Sequence, residues 1–319
     1  MGATVIVGYE DAELLDVACV SSTFSTANDL GADPPYAVTL LTPGGHAITC
    51  RPGLRLEAHG ALEQYTGPVD TLVVVGGLGS PRAAADPVLL AHVRRLARDA
   101  RRVASVCTGA SILAAAGLLD GRRATTHWWF APELARAHPA VHVDPDPIFV
   151  RDGKIATSAG VTSALDLALS FVHEDHGPAL ARQVARALVT YLQRPGTQAQ
   201  MSVHVAAPVP ADDVVRGVVD HVAGHLDGDL GAAALAARAG VSERHLTRLF
   251  RAHLGRTPAE HVRRARTEAA AHLATTTEVP LARVAARCGF RSTETMRTAF
   301  LEVYGRTPSE HRRAFVTAV

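Results

Sequence analysis

A cysteine and a histidine, Cys107 and His127, lie in the stretch ASVCTGASILAAAGLLDGRRATTHWW, which covers residues 104–129. A thiol and an imidazole are the groups that cysteine-dependent enzymes use as nucleophile and general base. Cys107 ends an apolar run and precedes a helical pattern, so the sequence predicts a strained strand-to-helix turn at this cysteine. The N-terminus of the helix that follows is expected to lower the pKa of the thiol.

Other residues are candidates for the surroundings of this cysteine. The backbone N–H groups of the segments VVGGLG (74–79) and CTGA (107–110), which contain Gly76, Gly77 and Thr108, are predicted to be available to an oxyanion. Asp16 lies on the otherwise apolar face of AELLDVAC, and burying an unpaired carboxylate there would be costly. We therefore expect Asp16 either to accept a hydrogen bond from Cys107 or to face solvent.

The elements that must position these residues alternate along the first two hundred residues. Apolar, strand-like runs lie at 4–9, 37–41, 71–77 and 103–107, and helical patterns lie at 11–28, 86–100, 109–119, 161–176 and 178–193. Short apolar strands that alternate with helices are typical of a parallel sheet covered on both faces. Ligands bind such sheets at the carboxyl ends of the strands, where Cys107 is predicted to lie.

Composition limits the class of protein. No apolar run among the 319 residues is long enough for a membrane span, and MGATVIVGYEDAELLD is predicted to be a first strand and not a signal peptide. The cysteines are scattered and form no CxxC pair; they are Cys19, Cys50, Cys107 and Cys288. We therefore predict a cytoplasmic protein with no disulfide framework, metal site or cofactor.

The charge distribution and the domain organisation change together. The segment RPGTQAQMSVHVAAPVPADD is typical of a linker; the predicted divisions are a domain over 1–195, a linker over 196–212 and a helical domain over 213–319. The last division holds 16 arginines against 11 acidic residues, whereas the preceding 212 residues hold 16 basic and 20 acidic ones. This basic excess indicates a polyanionic partner.

A repeat with an offset of fifty residues occupies the helical domain. FRAHLGRTPAEHVRR (250–264) matches FLEVYGRTPSEHRRA (300–314). In each copy the Gly is predicted to end one helix and the Thr to cap the next, with Pro in the first turn. Upstream of each copy, an Ala stands four residues before a Gly, at 236 and 240 and again at 285 and 289. This spacing predicts two helix-turn-helix units, because a small residue allows a close crossing and glycine a sharp turn.

Through these repeated motifs, residues 213–315 closely resemble the AraC/XylS family of transcription factors. The resemblance implies recognition helices at about 242–251 and 292–301, joined by a helix at about 258–274, that enter successive major grooves of double-stranded DNA. The implied DNA-binding residues are Ser242, Arg244, His245 and Arg248 in the first helix and Ser292, Thr293, Glu294 and Arg297 in the second. The family usually has arginine where this chain has Arg248, but the second copy has Thr298 there. We therefore expect the second helix to bind DNA through phosphates or with a different sequence preference.

The first domain resembles the ThiJ/PfpI superfamily of the class I glutamine amidotransferase-like fold. The resemblance rests on GG at 76–77, VCTGA at 106–110, RRATTHW at 122–128 and Asp16. It implies a flavodoxin-like parallel sheet sandwich over about 3–195, with Asp16 as the acidic partner of the cysteine and His127 as a histidine near it. PfpI-type proteases carry histidine directly after the cysteine, whereas this chain has Thr108.

Three functions stay open. The first is a sequence-specific DNA-binding regulator without enzymatic activity, which dimerises through its N-terminal domain or binds a small-molecule effector there. The residues assigned to the effector pocket are Asp16, Gly76, Gly77, Cys107, Thr108 and His127. The second is a cysteine-dependent hydrolase or hydratase with Cys107 as nucleophile. The third is an N-terminal domain that only dimerises and binds no ligand.

Overall fold

The computed structural model describes residues 2–51, 53–190, 194, 196, 198–200, 212–277 and 279–317. The chain divides into two compact units, residues 1–200 and residues 201–318. The strands of the first unit are β1 Gly2–Val7, β2 Tyr36–Thr42, β3 Ile48–Thr49, β4 Arg55–Leu56, β5 Gly60–Ala61, β6 Thr71–Val74, β7 Arg102–Val106, β8 Arg123–Ala124, β9 His142–Val143, β10 Phe149–Asp152 and β11 Ile155–Ser158. Its helices are α1 Leu14–Asp29, α2 Ser80–Ala84, α3 Pro87–Asp99, α4 Gly109–Ala115, α5 Ala131–Ala137 and α6 Ser163–Ala187.

Seven of these strands form one sheet, in the order β10-β11-β7-β6-β1-β2-β5. Every neighbouring pair is parallel except β10 and β11, which pair antiparallel at one edge. Strands β6, β7 and β11 are buried at every position. Burial on both faces explains why apolar and small residues fill most positions of these strands and why polar and apolar residues do not alternate regularly along them.

Helix α6 is broken at Gly177, whose φ of 83° lies outside the helical region, and Pro178 follows directly. The two helices that the sequence predicts at 161–176 and 178–193 correspond to the two halves of α6. Residues 191–193 of the second prediction lie outside the described residues.

The second unit is helical throughout its described residues. Its helices are α7 Asp213–Gly224, α8 Ala232–Arg238, α9 Glu243–Leu254, α10 Pro258–Thr276, α11 Leu281–Arg287, α12 Thr293–Tyr304 and α13 Pro308–Thr317. Both recognition helices, α9 and α12, extend about one turn beyond their predicted ends. Each helix-turn-helix unit has its own apolar core, and α10 contributes to both. The residues of α10 in the first core are Val262 and Ala265, and those in the second are Ala270 and Ala271.

The predicted caps of the repeat are confirmed. Gly255 and Gly305 end α9 and α12 in the left-handed conformation, with φ of 67° and 64°. The Thr257 hydroxyl accepts the Glu260 N–H, and the Glu260 carboxylate accepts the Thr257 N–H, which completes a capping box at the start of α10. The equivalent pair, Thr307 and Glu310, repeats this arrangement at the start of α13. The two copies therefore share one backbone frame.

Candidate functional site

Cys107 occupies the turn between β7 and α4, at the carboxyl end of a central strand. Its φ is 53°, a left-handed value that is strained for a residue with a side chain. Its N–H donates to the Ser158 carbonyl (3.0 Å), and its own carbonyl accepts the Thr126 hydroxyl (2.8 Å). The predicted strained strand-to-helix turn is thus confirmed, and neighbouring segments hold it on both sides.

Two glycines make room for the cysteine side chain. A Cβ added to Gly76 would lie 2.6 Å from Cys107 Cβ, and one added to Gly160 would lie 2.1 Å from it. Both separations are shorter than non-bonded carbon atoms can approach each other, so only glycine fits at these positions. The close packing leaves Cys107 only 7% exposed.

Asp16 is fully buried beside this turn. Its Oδ2 accepts the Gly76 N–H (2.9 Å), and its Oδ1 accepts the Val161 N–H (2.8 Å). In the part of the chain that the structure describes, no hydrogen bond joins Asp16 to Cys107. Both expectations for Asp16, a hydrogen bond from the cysteine and a solvent-facing position, are therefore wrong, because two backbone donors compensate its burial. Burial nevertheless raises the pKa of Asp16 to about 7, against the lowering effect of the two N–H groups.

The thiol of Cys107 is not activated. Burial raises its pKa to about 12, and the nearby Asp16 charge raises it further, whereas hydrogen bonds from Thr108 lower it. The expected lowering of this pKa by the helix N-terminus is wrong, because desolvation of the thiolate outweighs it. Cys107 is consequently a neutral thiol at physiological pH.

Two of the backbone N–H groups predicted to bind an oxyanion, those of Gly76 and Gly77, already have acceptors. The Gly76 N–H donates to Asp16, and the Gly77 N–H donates to the Thr108 hydroxyl oxygen at 2.9 Å. That hydroxyl donates back to the Gly77 carbonyl at 3.0 Å. The oxyanion site expected from Gly76 and Gly77 is therefore not formed, and Thr108 instead fastens the glycine turn to the cysteine turn.

His127 lies in the segment between β8 and α5, among aromatic neighbours. Its ring stacks on Trp128 at a centroid distance of 5.7 Å and meets the edge of Phe130 at 5.9 Å. Its Nδ1 accepts the Trp129 N–H (3.3 Å), and burial lowers its pKa. Within the described ranges, no hydrogen bond connects His127 to Cys107. The nucleophile–base pair suggested by the sequence is therefore absent from this arrangement.

Two residues of the site, Tyr9 and Val161, are not predicted from the sequence. The Tyr9 hydroxyl donates to the Val75 carbonyl (2.9 Å), and burial, Asp16 and Cys107 together raise the pKa of Tyr9. Val161 supplies a backbone donor to Asp16 and has a φ of 50°. Both residues follow the carboxyl ends of sheet strands, so the rule that predicts the position of Cys107 also applies to them.

Two kinds of feature do not occur among the described residues. They contain no group of three His, Cys, Asp or Glu side chains arranged to hold a metal ion. Nor does any described helix combine the length and apolarity that a membrane crossing requires.

The first recognition helix, α9, presents a basic surface. Ser242 caps it by accepting the His245 N–H (3.2 Å). Arg244, His245 and Arg248 are exposed, and Arg248 Nη2 lies 3.3 Å from His245 Nδ1. Three arginines and one glutamate lie within Glu243–Leu254. Such a surface suits contact with phosphates and with base edges.

The second recognition helix, α12, has the same frame and a different charge. Ser292 caps it by accepting the Thr295 N–H (3.1 Å). Arg297 is held by Glu294 one turn earlier, with Nη2 2.8 Å and Nε 3.0 Å from Oε1. The helix contains two glutamates and one arginine. The implied DNA-binding residues of the two helices are thus exposed in both copies, but only the first helix is basic.

Comparison with known proteins matches each unit to a family. Residues 3–174 match the DJ-1/PfpI family, and residues 235–314 match a helix-turn-helix domain. The HTH-type transcriptional regulator CdhR of Pseudomonas aeruginosa is 33% identical over 90% of this chain and 84% of its own length. The HTH-type transcriptional regulator GlxA of Rhizobium meliloti is 33% identical over 94% of this chain and 92% of its own length.

Two further similarities concern part of the chain. The isonitrile hydratase of Pseudomonas putida is 40% identical, but the match covers 46% of this chain, in its N-terminal part, and 62% of that enzyme. The crystal structure of a ThiJ/PfpI family protein from Pseudomonas syringae has a TM-score of 0.54 and 27% identity, covering 61% of this chain and 77% of that one. The predicted fold class, a ThiJ/PfpI-type sheet sandwich followed by helix-turn-helix units, is confirmed.

Proposed function

This chain belongs to the DJ-1/PfpI family and is a DNA-binding transcriptional regulator of the AraC type, and we propose that its N-terminal unit binds a small metabolite that controls DNA binding. The observation that carries the proposal is the state of Cys107. Its thiol is neutral and buried, and no described residue serves it as a basic partner, although it lies where enzymes of related architecture place a nucleophile. Such a site is suited to binding and not to turnover.

A ligand controls DNA binding only if it binds two arrangements of the protein with different affinity. The Cys107 site suits this requirement because its parts come from separate segments. Asp16 connects α1 to the Gly76 turn and to Val161, and Thr126 connects a fourth segment to the Cys107 carbonyl. A ligand that displaces one segment disturbs the hydrogen bonds of the others.

We further propose that the two recognition helices contribute unequally to DNA binding. In α9 the exposed Arg244 and Arg248 are one helical turn apart, and each is available to a guanine edge or a phosphate. In α12 the Glu294 carboxylate engages the guanidinium of Arg297. Basic side chains that neutralise phosphates supply the salt-dependent affinity for DNA, so the first helix-turn-helix unit provides affinity and the second mainly discrimination.

Two copies of the chain acting together would double the DNA contact, and we propose a homodimer formed through the N-terminal units. The helix-turn-helix regulators that bind as dimers place their two copies on half-sites along one face of the duplex. Sedimentation of the intact chain at several concentrations tests the dimer. A monomer at micromolar concentration would contradict it.

The sensor function is tested with the intact chain. A selection from random duplex DNA first identifies a bound sequence. Thermal shift against a panel of amino acids, amines and betaines then identifies ligands, with Cys107→Ala and Asp16→Asn as site variants. We expect a ligand to raise the Tm of the wild type, to raise that of the variants less, and to change the affinity for the selected DNA. Absence of any shift across the panel would favour a domain that only dimerises.

A second candidate function is a hydratase activity of the N-terminal unit. The similarity to isonitrile hydratase and the strained turn at Cys107 favour it. Incubation of the chain with isonitriles, and in parallel with amides and methylglyoxal, tests this alternative. Turnover by the wild type that is lost in Cys107→Ala would overturn the non-catalytic assignment of this site.

A further inference from the structure

The chain leaves the first unit along a segment, residues 194–200, that is tied to the surroundings of the cysteine. Its described members are Arg194, Gly196, Gln198, Ala199 and Gln200. Two of their side chains, those of Arg194 and Gln200, make most of the polar contacts, and we call this stretch the exit segment. It directly precedes residues 201–211, which connect it in sequence to the helix-turn-helix unit.

Gln200 joins the exit segment to the polypeptide beside Cys107. Its Nε2 donates to the carbonyls of Thr126 (2.8 Å) and Pro145 (2.9 Å), and its Oε1 accepts the Trp128 N–H (2.9 Å). Thr126, which is buried, in turn donates its hydroxyl to the Cys107 carbonyl at 2.8 Å. One residue therefore stands between the Gln200 amide and the cysteine turn.

Arg194 joins the exit segment to the other wall of the site. Its backbone N–H and its guanidinium both bind the buried Asp166, at 2.7 Å to Oδ1 and 2.7 Å to Oδ2. Its Nη2 also donates to the Thr162 hydroxyl (3.1 Å). Thr162 directly follows Val161, whose N–H binds Asp16 (2.8 Å). The second attachment thus ends one residue from a backbone donor to Asp16.

We propose that Arg194 and Gln200 are positioning residues that couple the state of the Cys107 site to the chain beyond the exit segment. The hydrogen bonds between Arg194 and Asp166 join two charged groups, so they are strong and fix the orientation of the guanidinium. Breaking them would leave the buried Asp166 carboxylate without its partner, which is costly. The NH₂ group of Gln200 lies among backbone carbonyls, which can only accept hydrogen bonds. A side chain without an N–H donor therefore cannot replace it. A change at Cys107 or Asp16 that moves Thr126 or Val161 consequently shifts the exit segment.

This inference rests on the proposed sensor function, and its test separates the two. Hydrogen–deuterium exchange of the intact chain is compared between wild type, Gln200→Ala, Arg194→Lys and the matched control Gln198→Ala. The control residue lies in the same segment but contributes only its backbone carbonyl, to the Ile148 N–H. Cys107→Met perturbs the site without a ligand, because it enlarges a side chain that is only 7% exposed. If Cys107→Met does not fold, Cys107→Ala replaces it.

We expect the residue-107 variant to speed exchange in peptides covering 194–200, roughly 2- to 12-fold per hydrogen bond lost. Gln200→Ala and Arg194→Lys should do the same, Gln198→Ala should match the wild type, and the residue-107 change should add nothing once Gln200→Ala and Arg194→Lys are combined. Unchanged exchange over 194–200 when residue 107 is altered, or equal effects of Gln198→Ala and Gln200→Ala, would overturn the coupling. If the exchange pattern holds while affinity for the selected DNA is the same in every variant, the coupling stands and the sensor function fails.

Discussion

The Asp16 carboxyl and the Cys107 side chain meet at one glycine: a Cβ on Gly76 would lie 2.9 Å from Asp16 Oδ2 and 2.6 Å from Cys107 Cβ. We therefore expect Gly76→Ala to destabilise the first unit by about 1–3 kcal/mol, the range for an overpacked core. Urea denaturation measures the change. Gly60→Ala is the control, because its Cβ would meet only Leu41 Cδ2, at 3.7 Å. Equal effects of the two substitutions would contradict the crowding at Gly76.

The raised pKa of Asp16 predicts a pH-dependent stability. Its folded-state pKa of about 7 lies above its ordinary value of 3.8, so protonation favours the folded form. The stabilising contribution is complete below about pH 4 and is lost as the pH rises through about 7. Asn does not ionise, so the free energy of unfolding of Asp16→Asn should not show this decline. In the wild type the decline amounts to a few kcal/mol, since one pKa unit is about 1.4 kcal/mol.

Denaturation of both proteins between pH 4.5 and pH 8 measures the slope difference. The absolute stability of Asp16→Asn is expected to be lower at acid pH, because an amide cannot accept both the Gly76 and the Val161 N–H groups. Parallel curves for wild type and variant would show that Asp16 is ionised throughout this range.

The reactivity of Cys107 reports the protonation state of its thiol. With a pKa near 12, its alkylation by iodoacetamide should be slow at pH 7 and rise about tenfold per pH unit up to pH 10, because only the thiolate reacts. Mass spectrometry of the peptide containing Cys107 follows the rate. Asp16→Asn should accelerate it by removing a nearby negative charge, whereas Asp29→Asn, at an exposed end of α1, should not. A plateau between pH 7 and pH 8 would indicate an activated nucleophile.

On the DNA side, Arg248→Ala should weaken specific binding by about 1–3 kcal/mol if the guanidinium contacts a base. Arg297→Ala should weaken it less, since Glu294 already engages that guanidinium. Fluorescence anisotropy with the selected duplex at fixed salt compares the two. A larger loss for Arg297→Ala would reverse the assignment of affinity to the first helix.

Glu294→Gln should strengthen non-specific DNA binding, whereas the arginine substitutions weaken binding. Removing the carboxylate frees Arg297 for phosphate contact and removes repulsion from the backbone, so non-specific affinity should rise and become more salt-dependent. The ratio of specific to non-specific affinity should fall, because a carboxylate can accept only from a base donor such as cytosine N4. Glu302→Gln is the control at the far end of the same helix, where the carboxylate pairs with Arg263 of α10 (3.0 Å). An unchanged ratio in Glu294→Gln would remove this residue from the readout.

Local patterns were sufficient to predict the parts of the fold that depend on neighbours in sequence. The turn at Cys107 follows from an apolar strand that is separated by two residues from a glycine-led helix, and the caps at Gly255 and Thr257 follow from the repeat. The partners of Asp16 could not be predicted in this way, because they lie 60 and 145 residues away along the chain. The pKa of Cys107 was predicted in the wrong direction for the same reason. The helix N-terminus is visible in the sequence, whereas the burial that dominates arises from Gly76 and Gly160, which pack against it from elsewhere in the chain.

The shared frame of α9 and α12 has a consequence for the DNA site itself. Leu246 and Phe250 hold the first helix to its core, and Met296 and Phe300 hold the second at the same four-residue separation. The exposed positions of the two helices do not pack in these cores, so their residues can differ between the copies, and they differ in charge. One chain therefore presents two dissimilar surfaces in tandem, and the segment of operator that it covers should be two unlike blocks and not a palindrome. Any inverted symmetry in the full operator would then arise from pairing two chains.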